Sequence, residues 1–205
     1  MTISLSDAGK RYNRDWIYRH FSYTFEKGNA YAITGPNGSG KSTLLQSLSG
    51  SQLISEGKIE WIKNGIKTDP EQVYRDVSLC APYLELIEEM TLSEFLEFHR
   101  GFKSFLPGLQ INDIIALVGL EKAVNKQIRY YSSGMKQRVK LAQCILSDTA
   151  IVLLDEPCTN LDSTGIALYH SLIRDYGNGR LIVVSSNDET EYRFCNERIN
   201  ISDYK

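Results

Sequence analysis

The chain has 205 residues, 42% of them hydrophobic, and 23 Lys and Arg stand against 25 Asp and Glu for a formal net charge of −2. That length suits one domain with at most a subdomain, and the apolar share suffices for a packed core. The near-neutral balance gives no global pull toward nucleic acid or an anionic membrane. The four cysteines, Cys80, Cys144, Cys158 and Cys195, have no C-x-x-C spacing, which favours reduced thiols over a zinc site or a disulfide framework. Met1 to Asp7 lack a basic region followed by an apolar run, so no secretory signal is expected. No apolar run reaches about 18 residues, so nothing is expected to span a bilayer.

In chain order, Ile3–Leu5, Phe21–Phe25 and Tyr31–Ile33 read as three short strands, with Phe21, Tyr23 and Phe25 alternating with Ser22 and Thr24. An aromatic-rich segment, Tyr12 to Tyr18, lies between the first two. A helix is predicted over Ser42–Ser49, a strand over Lys58–Ile62 with a hairpin turn at Asn64-Gly65, and a buried strand over Val77–Ala81. From Tyr83 to about Tyr130 the pattern turns helical: Thr91-Leu92-Ser93-Glu94 is a capping box, and Ile111–Val118 repeats apolar residues at helical spacing. Further helices are expected over Ser133–Leu146, Ser163–Tyr176 and Glu189–Cys195. Ala150–Leu154 and Leu181–Ser185 are continuous apolar runs, as in strands buried on both faces of a parallel sheet. Strands alternating with helices argue for an α/β sheet.

Gly35-Pro36-Asn37-Gly38-Ser39-Gly40-Lys41-Ser42-Thr43 fits the phosphate-binding pattern G-x-x-x-x-G-K-[ST]. Gly35, Gly38 and Gly40 can take backbone angles closed to other residues, so the loop can wrap an anion with its N–H groups turned inward. Lys41 is expected to reach the terminal phosphates and the Ser42 hydroxyl to hold Mg²⁺, while the following helix aims its positive end at the same phosphates. Asn37, Ser39 and Thr43 belong to the same nucleotide-binding set. Asp155 and Glu156 close the apolar strand at the edge where open α/β sheets bind ligands. There Asp155 can hold Mg²⁺ through its water shell, and Glu156 can polarise the water that attacks the γ-phosphate.

With these residues in place, the chain resembles the nucleotide-binding subunit of an ATP-binding cassette (ABC) transporter over essentially its full length. Tyr131-Ser132-Ser133-Gly134-Met135-Lys136-Gln137-Arg138 is similar to the family's signature, Asn160-Leu161-Asp162 resembles its D-loop, and Tyr12 falls where an aromatic stacks on adenine. The resemblance implies a P-loop NTPase core with a mostly parallel sheet, an N-terminal antiparallel β portion and a helical subdomain inserted at about residues 83–146, all within one nucleotide-binding domain over residues 1–205. It implies ATP and Mg²⁺ as cofactors. It also implies that Ser132, Ser133 and Gly134 contact the γ-phosphate bound to a second copy, in a head-to-tail homodimer around two ATP. The expected partner is a separate transmembrane permease subunit, received near Tyr83 to Phe105. Glu85, Glu88 and Glu89 make that face acidic, while Leu84, Leu86 and Ile87 add apolar area. Nucleic acid is not an expected partner, and the implied place is the cytoplasmic face of a membrane.

Two positions depart from the family pattern. Pro82 stands where a Gln is usual, and Asn187 stands where a His is usual. Asn187 can hydrogen-bond a γ-phosphate but cannot become cationic. The loss of one such group costs about 10²–10³ in rate, so intact ATP binding with slow hydrolysis is expected. Alternative readings are a soluble ABC-type ATPase working on ribosomes or DNA, and a regulatory module that closes on ATP without turnover.

Overall fold

The computed structural model describes residues 1–205. Its first element is a long hairpin. Strands β1 (Thr2–Tyr12) and β2 (Asp15–Phe25) pair antiparallel and turn at Asn13-Arg14. The sequence pattern predicts only the two outer ends of these strands, and the aromatic segment Tyr12–Tyr18 is in fact the hairpin tip and its legs. Three register shifts, at Leu5/Ala8, Ala8/Lys10 and Lys10/Arg11, explain the difference. Each bulge breaks the period-two alternation that marks a strand. β3 (Ala30–Thr34) follows, then helix α1 (Lys41–Leu48). β4 (Glu56–Lys63) pairs antiparallel with β1 and turns at Asn64-Gly65 into β5 (Ile66–Thr68). Both turn residues have positive φ, 54° and 79°, the two-residue turn that suits a twisted hairpin.

The second sheet has the order β6-β7-β8-β3-β9, with β6 at Val77–Cys80, β7 at Ile151–Asp155, β8 at Leu181–Ser185 and β9 at Glu197–Asn200. The pairs β7/β8, β8/β3 and β3/β9 are parallel. β7 and β8 are buried at every position, as their unbroken apolar runs predict. β9 carries no such signal: it is an edge strand with one buried residue, Ile199. The core joins the aromatics Phe21, Phe25 and Tyr31 to Leu44, Leu45 and Leu48 of α1 and to Leu153 and Val183 of the parallel strands.

The chain divides into two compact units. One comprises Met1–Leu79, Thr149–Glu156 and Gly179–Lys205, and contains both sheets and α1. The other comprises Cys80–Asp148 and Pro157–Asn178. This second unit is helical: α2 (Leu92–Phe102), α3 (Ile111–Leu117), α4 (Ser133–Ile145) and α5 (Ser163–Tyr176). The capping box at Thr91 and Glu94 forms as its spacing predicts. In the first unit, α6 (Glu189–Tyr192) is a single turn, shorter than the Glu189–Cys195 helix that the sequence suggests. No helix is long and apolar enough to cross a membrane.

Candidate functional site

Between β3 and α1 the chain makes the glycine-rich loop. Gly35, Gly38 and Gly40 all have positive φ, at 141°, 77° and 106°. At Gly40 the requirement is double, because a Cβ there would also collide with Ile17 Cγ2. Gly40 is the N-cap of α1 and offers no side-chain cap, so the first N–H groups of the helix keep no side-chain acceptor. Those amides and the positive end of the helix form an anion cradle. Lys41 is only 6% exposed, and its Nζ donates to the carbonyl oxygens of Gly35 at 2.7 Å and Pro36 at 3.4 Å. The loop therefore holds the ammonium in place with two neutral acceptors, which an anionic phosphate oxygen can replace with a stronger charge-assisted bond.

Asp155 ends β7, and its register partner Ser185 ends β8. Asp155 is 2% exposed and its Oδ1 has no hydrogen-bond partner; neither do Ser185 Oγ and Ser39 Oγ. A buried polar atom left unpaired costs about 1–3 kcal/mol. Three of them around one loop fit a bound group rich in charge and hydration, as a nucleotide phosphate with a hard cation is. Glu156 sits just past the strand in left-handed backbone, at φ 45°, and its N–H donates to Ser185 O at 2.9 Å. That conformation costs a non-glycine residue about 1–3 kcal/mol and turns the chain sharply out of the sheet. Asn187 bridges the loop: its Oδ1 accepts from the Gly35 N–H at 3.2 Å, and its Nδ2 donates to Asn37 Oδ1 at 3.1 Å. The structure thus brings Asn37, Lys41, Asp155 and Asn187 to one sheet edge with the loop amides. Ser42 and Thr43 lie in the first turn of α1.

Tyr12 stands at the end of β1. The residue is 45% exposed, its hydroxyl donates to Gln52 Oε1 at 3.2 Å, and Lys10 Nζ lies 4.9 Å from the ring centroid. The rival aromatic, Trp16, has two guanidinium groups against its ring, Arg11 at 5.4 Å and Arg19 at 4.4 Å. Arg19 is itself fixed by Glu56 at 2.6 and 3.2 Å. Tyr12, with one cation against its ring where Trp16 has two, is therefore the more accessible aromatic at this corner.

In the helical unit, Ser132 caps α4: its Oγ accepts from the Met135 N–H at 3.2 Å. Gly134 faces Asn160, and a Cβ there would stand 3.0 Å from the Asn160 carbonyl oxygen. Asn160 is itself left-handed, at φ 64°. Asp162 caps α5 through the Gly165 N–H at 2.8 Å and meets Arg138 at 3.4 Å. The Thr164 hydroxyl and then the Gly165 amide hold the Asp162 carboxyl below its usual range. Ser132-Ser133-Gly134 and Asn160-Leu161-Asp162 line one cleft of about 580 Å³, together with Gly119 to Ala123. Gln137, given no role of its own in the motif reading, is buried and donates to Pro157 O at 2.7 Å.

The face from Tyr83 to Phe105 differs from its sequence reading. Leu86 is buried and adds little surface. Glu88 pairs with Lys136 at 2.5 Å and Glu89 with Arg129 at 3.6 Å, so part of the expected acidity is balanced within the unit, while Glu85 stays exposed. Alongside the exposed Glu85 and Glu89 stands aromatic and apolar surface: Tyr83, Leu84, and Phe98 against Phe102 with ring centroids 4.9 Å apart. No histidine takes the place of Asn187. His20 pairs with Asp7 at 2.7 Å, His99 bonds Ser147 at 2.8 Å, and His170 lies against Tyr169.

A family model described as ABC transporter matches residues 18–159. The chain is 33% identical to the uncharacterized ABC transporter ATP-binding protein YybJ of Bacillus subtilis over 196 residues, covering 92% of this chain and 87% of that protein. It is 27% identical to the cytochrome c biogenesis ATP-binding export protein CcmA of Agrobacterium fabrum, covering 91% and 89%. Its fold matches the ATP-binding cassette MJ0796, solved as a dimer in a post-hydrolysis state with ADP and Pi. The TM-score is 0.83 at 23% identity, over 98% of this chain and 94% of that one. The chain belongs to the ABC transporter family, as an ATP-binding subunit.

Proposed function

We propose that this subunit hydrolyses ATP slowly, that two copies close head-to-tail around two Mg-ATP, and that they drive a separate transmembrane permease from the cytoplasmic face of a membrane. The observation that carries the ATP reading is the uncapped start of α1 beside buried Asp155 with its unpartnered oxygen. The amides of Gly38, Ser39, Gly40, Ser42 and Thr43 would cradle the phosphates, Gly35 shapes the loop, and Asn37 lines it. Lys41 would leave the Gly35 and Pro36 carbonyls for a phosphate oxygen. Ser42 and Asp155 would hold Mg²⁺, which neutralises charge on the β- and γ-phosphate oxygens. Glu156 would accept a hydrogen bond from the attacking water and orient it. Asn187, already bonded to Gly35 and Asn37, would turn its amide toward the γ-phosphate. Tyr12, the more accessible aromatic, would stack on adenine.

The cleft lined by Ser132, Ser133, Gly134 and Asn160 supports the dimer reading, since the family resemblance sets such a turn against the γ-phosphate of a second copy. The exposed Phe98 and Phe102 pair would suit an apolar permease segment, and the exposed Glu85 and Glu89 a basic one. Pro82 in the Gln position has no side-chain donor, and its carbonyl is taken by Lys140 at 3.1 Å. Together with Asn187, this supports slow turnover and keeps the regulatory reading as the second one. Glu156→Gln separates the two. It should cut phosphate release about 10²–10³-fold and leave an ATP-bound dimer on size exclusion. A wild-type chain that releases no phosphate, alone or with its permease, leaves only the regulatory reading. A variant that stays monomeric with ATP removes the sandwich.

A further inference from the structure

Ser185 is an odd residue for its place. It ends a strand that is otherwise Leu, Ile and Val, it is 0% exposed, and its hydroxyl has no partner. Leu153 and Val183 pair in register and pack with Leu44, Leu45 and Leu48 of α1. Residues two apart along a strand share a face. Asp155 and Ser185, which also pair in register, therefore project from that same α1-facing side. β3 runs parallel beside them, with Ile33 in register with Ser185, and leads into the Gly35 loop. The two side chains thus stand side by side, about 4.8 Å apart by strand spacing, at the loop end of the sheet. One is a carboxylate whose Oδ1 can only accept; the other is a hydroxyl that can donate and accept. Both atoms are unpartnered, and neither reaches bulk water.

We propose that Ser185 is a positioning residue for the metal site: its hydroxyl and Asp155 Oδ1 share one water of the Mg²⁺ shell, which fixes the carboxylate that holds that shell. This rests on the assignment of Asp155 to Mg²⁺ above. It also gives the site a hydroxyl two residues before Asn187, which stands where the family's usual His would be. Groups that orient a metal ligand from behind are worth about tenfold or more in metal affinity.

The test is calorimetric ATP binding to the full chain with Mg²⁺ and with EDTA, for wild type, Ser185→Ala, Ser185→Thr and Asp155→Asn. The readout is the factor by which Mg²⁺ tightens ATP binding. Ser185→Ala should reduce that factor about tenfold while leaving the EDTA affinity unchanged, and Ser185→Thr, which keeps the hydroxyl, should restore most of it. An unchanged factor in Ser185→Ala overturns the proposal, and so does an equal loss in EDTA, which would mark a role in shape alone. Should Ser185→Ala fail to fold, Ser185→Cys keeps the volume with a weaker donor and is read the same way. Asp155→Asn separates the layers: if it leaves the factor intact, the metal reading of Asp155 fails; if it lowers the factor and Ser185→Ala does not, only the role of Ser185 fails.

Discussion

The helix starts of this chain solve the same problem in two opposite ways. Every helix exposes amides at its N-terminus. In the helical unit the chain satisfies them itself: Thr91 and Glu94 box the start of α2, Ser132 caps α4, and Asp162 caps α5. At α1 the cap is Gly40, in left-handed backbone and with no side-chain acceptor. The sheet-bearing unit also leaves Ser39 Oγ, Asp155 Oδ1 and Ser185 Oγ buried without partners near that start. A chain that caps α2, α4, α5 and, through Asp188, α6 with its own side chains and leaves α1 bare has reserved that end for something from outside. The starts of α2, α4 and α5 are capped from within the chain; the phosphate loop is built to be completed.

Experiments can break or sharpen this contrast. The largest effect is expected at Lys41. Replacing it with Ala leaves the amides but removes the only ammonium held over the loop, and ATP affinity should fall at least about 100-fold in calorimetry. Near-normal binding would mean that the bare amides suffice. Next comes Gly40→Ala, where the left-handed backbone and the collision with Ile17 together should cost about 2–4 kcal/mol in urea unfolding, along with ATP binding. A silent Gly40→Ala would show that the bare helix start is not set by this turn. Ser132→Ala removes a cap from the helical unit and should cost only about 1 kcal/mol, with monomer ATP binding intact and ATP-driven dimerisation weakened. Loss of ATP binding by the monomer would contradict the division of labour.

The smallest effect concerns His99, which burial and the nearby Lys103 push down to about 4. Because its folded pKa lies below its unfolded value, the unfolded chain takes up the proton first. The stability it contributes is present above the unfolded pKa and is lost as pH falls from about 6.5 toward 4. The urea midpoint of wild type should therefore drop between about pH 7 and about pH 5, and that drop should shrink in His99→Gln. Equal slopes in the two would mean that His99 is already neutral in the unfolded chain or protonated in the folded one.

What could be read from the sequence was whatever is encoded locally. The glycine spacing of the loop, the apolar runs of β7 and β8, the Thr91–Glu94 box and the ends of α5 all lie within a few residues of their cause. The β1–β2 hairpin was hidden because bulges scramble its alternation, and β9 because an edge strand needs only one apolar residue. The neutralisation of Glu88 depends on Lys136, 48 residues away. Ser185 gains meaning only through its register with Asp155, which no local pattern displays. At the site itself, the composition of the loop was legible, whereas the link from Asn187 to Asn37, 150 residues apart, was not.

That link has a consequence for how the subunit experiences its surroundings. An imidazole in the place of Asn187 would gain or lose a proton within the range through which cytoplasm and stressed cells move, and its charge would track acidity. A carboxamide has no such titration. The corner that grips Gly35 and Asn37 keeps the same donors, acceptors and charge in acid and in alkali. A nucleotide site built on it takes no instruction from pH through that residue.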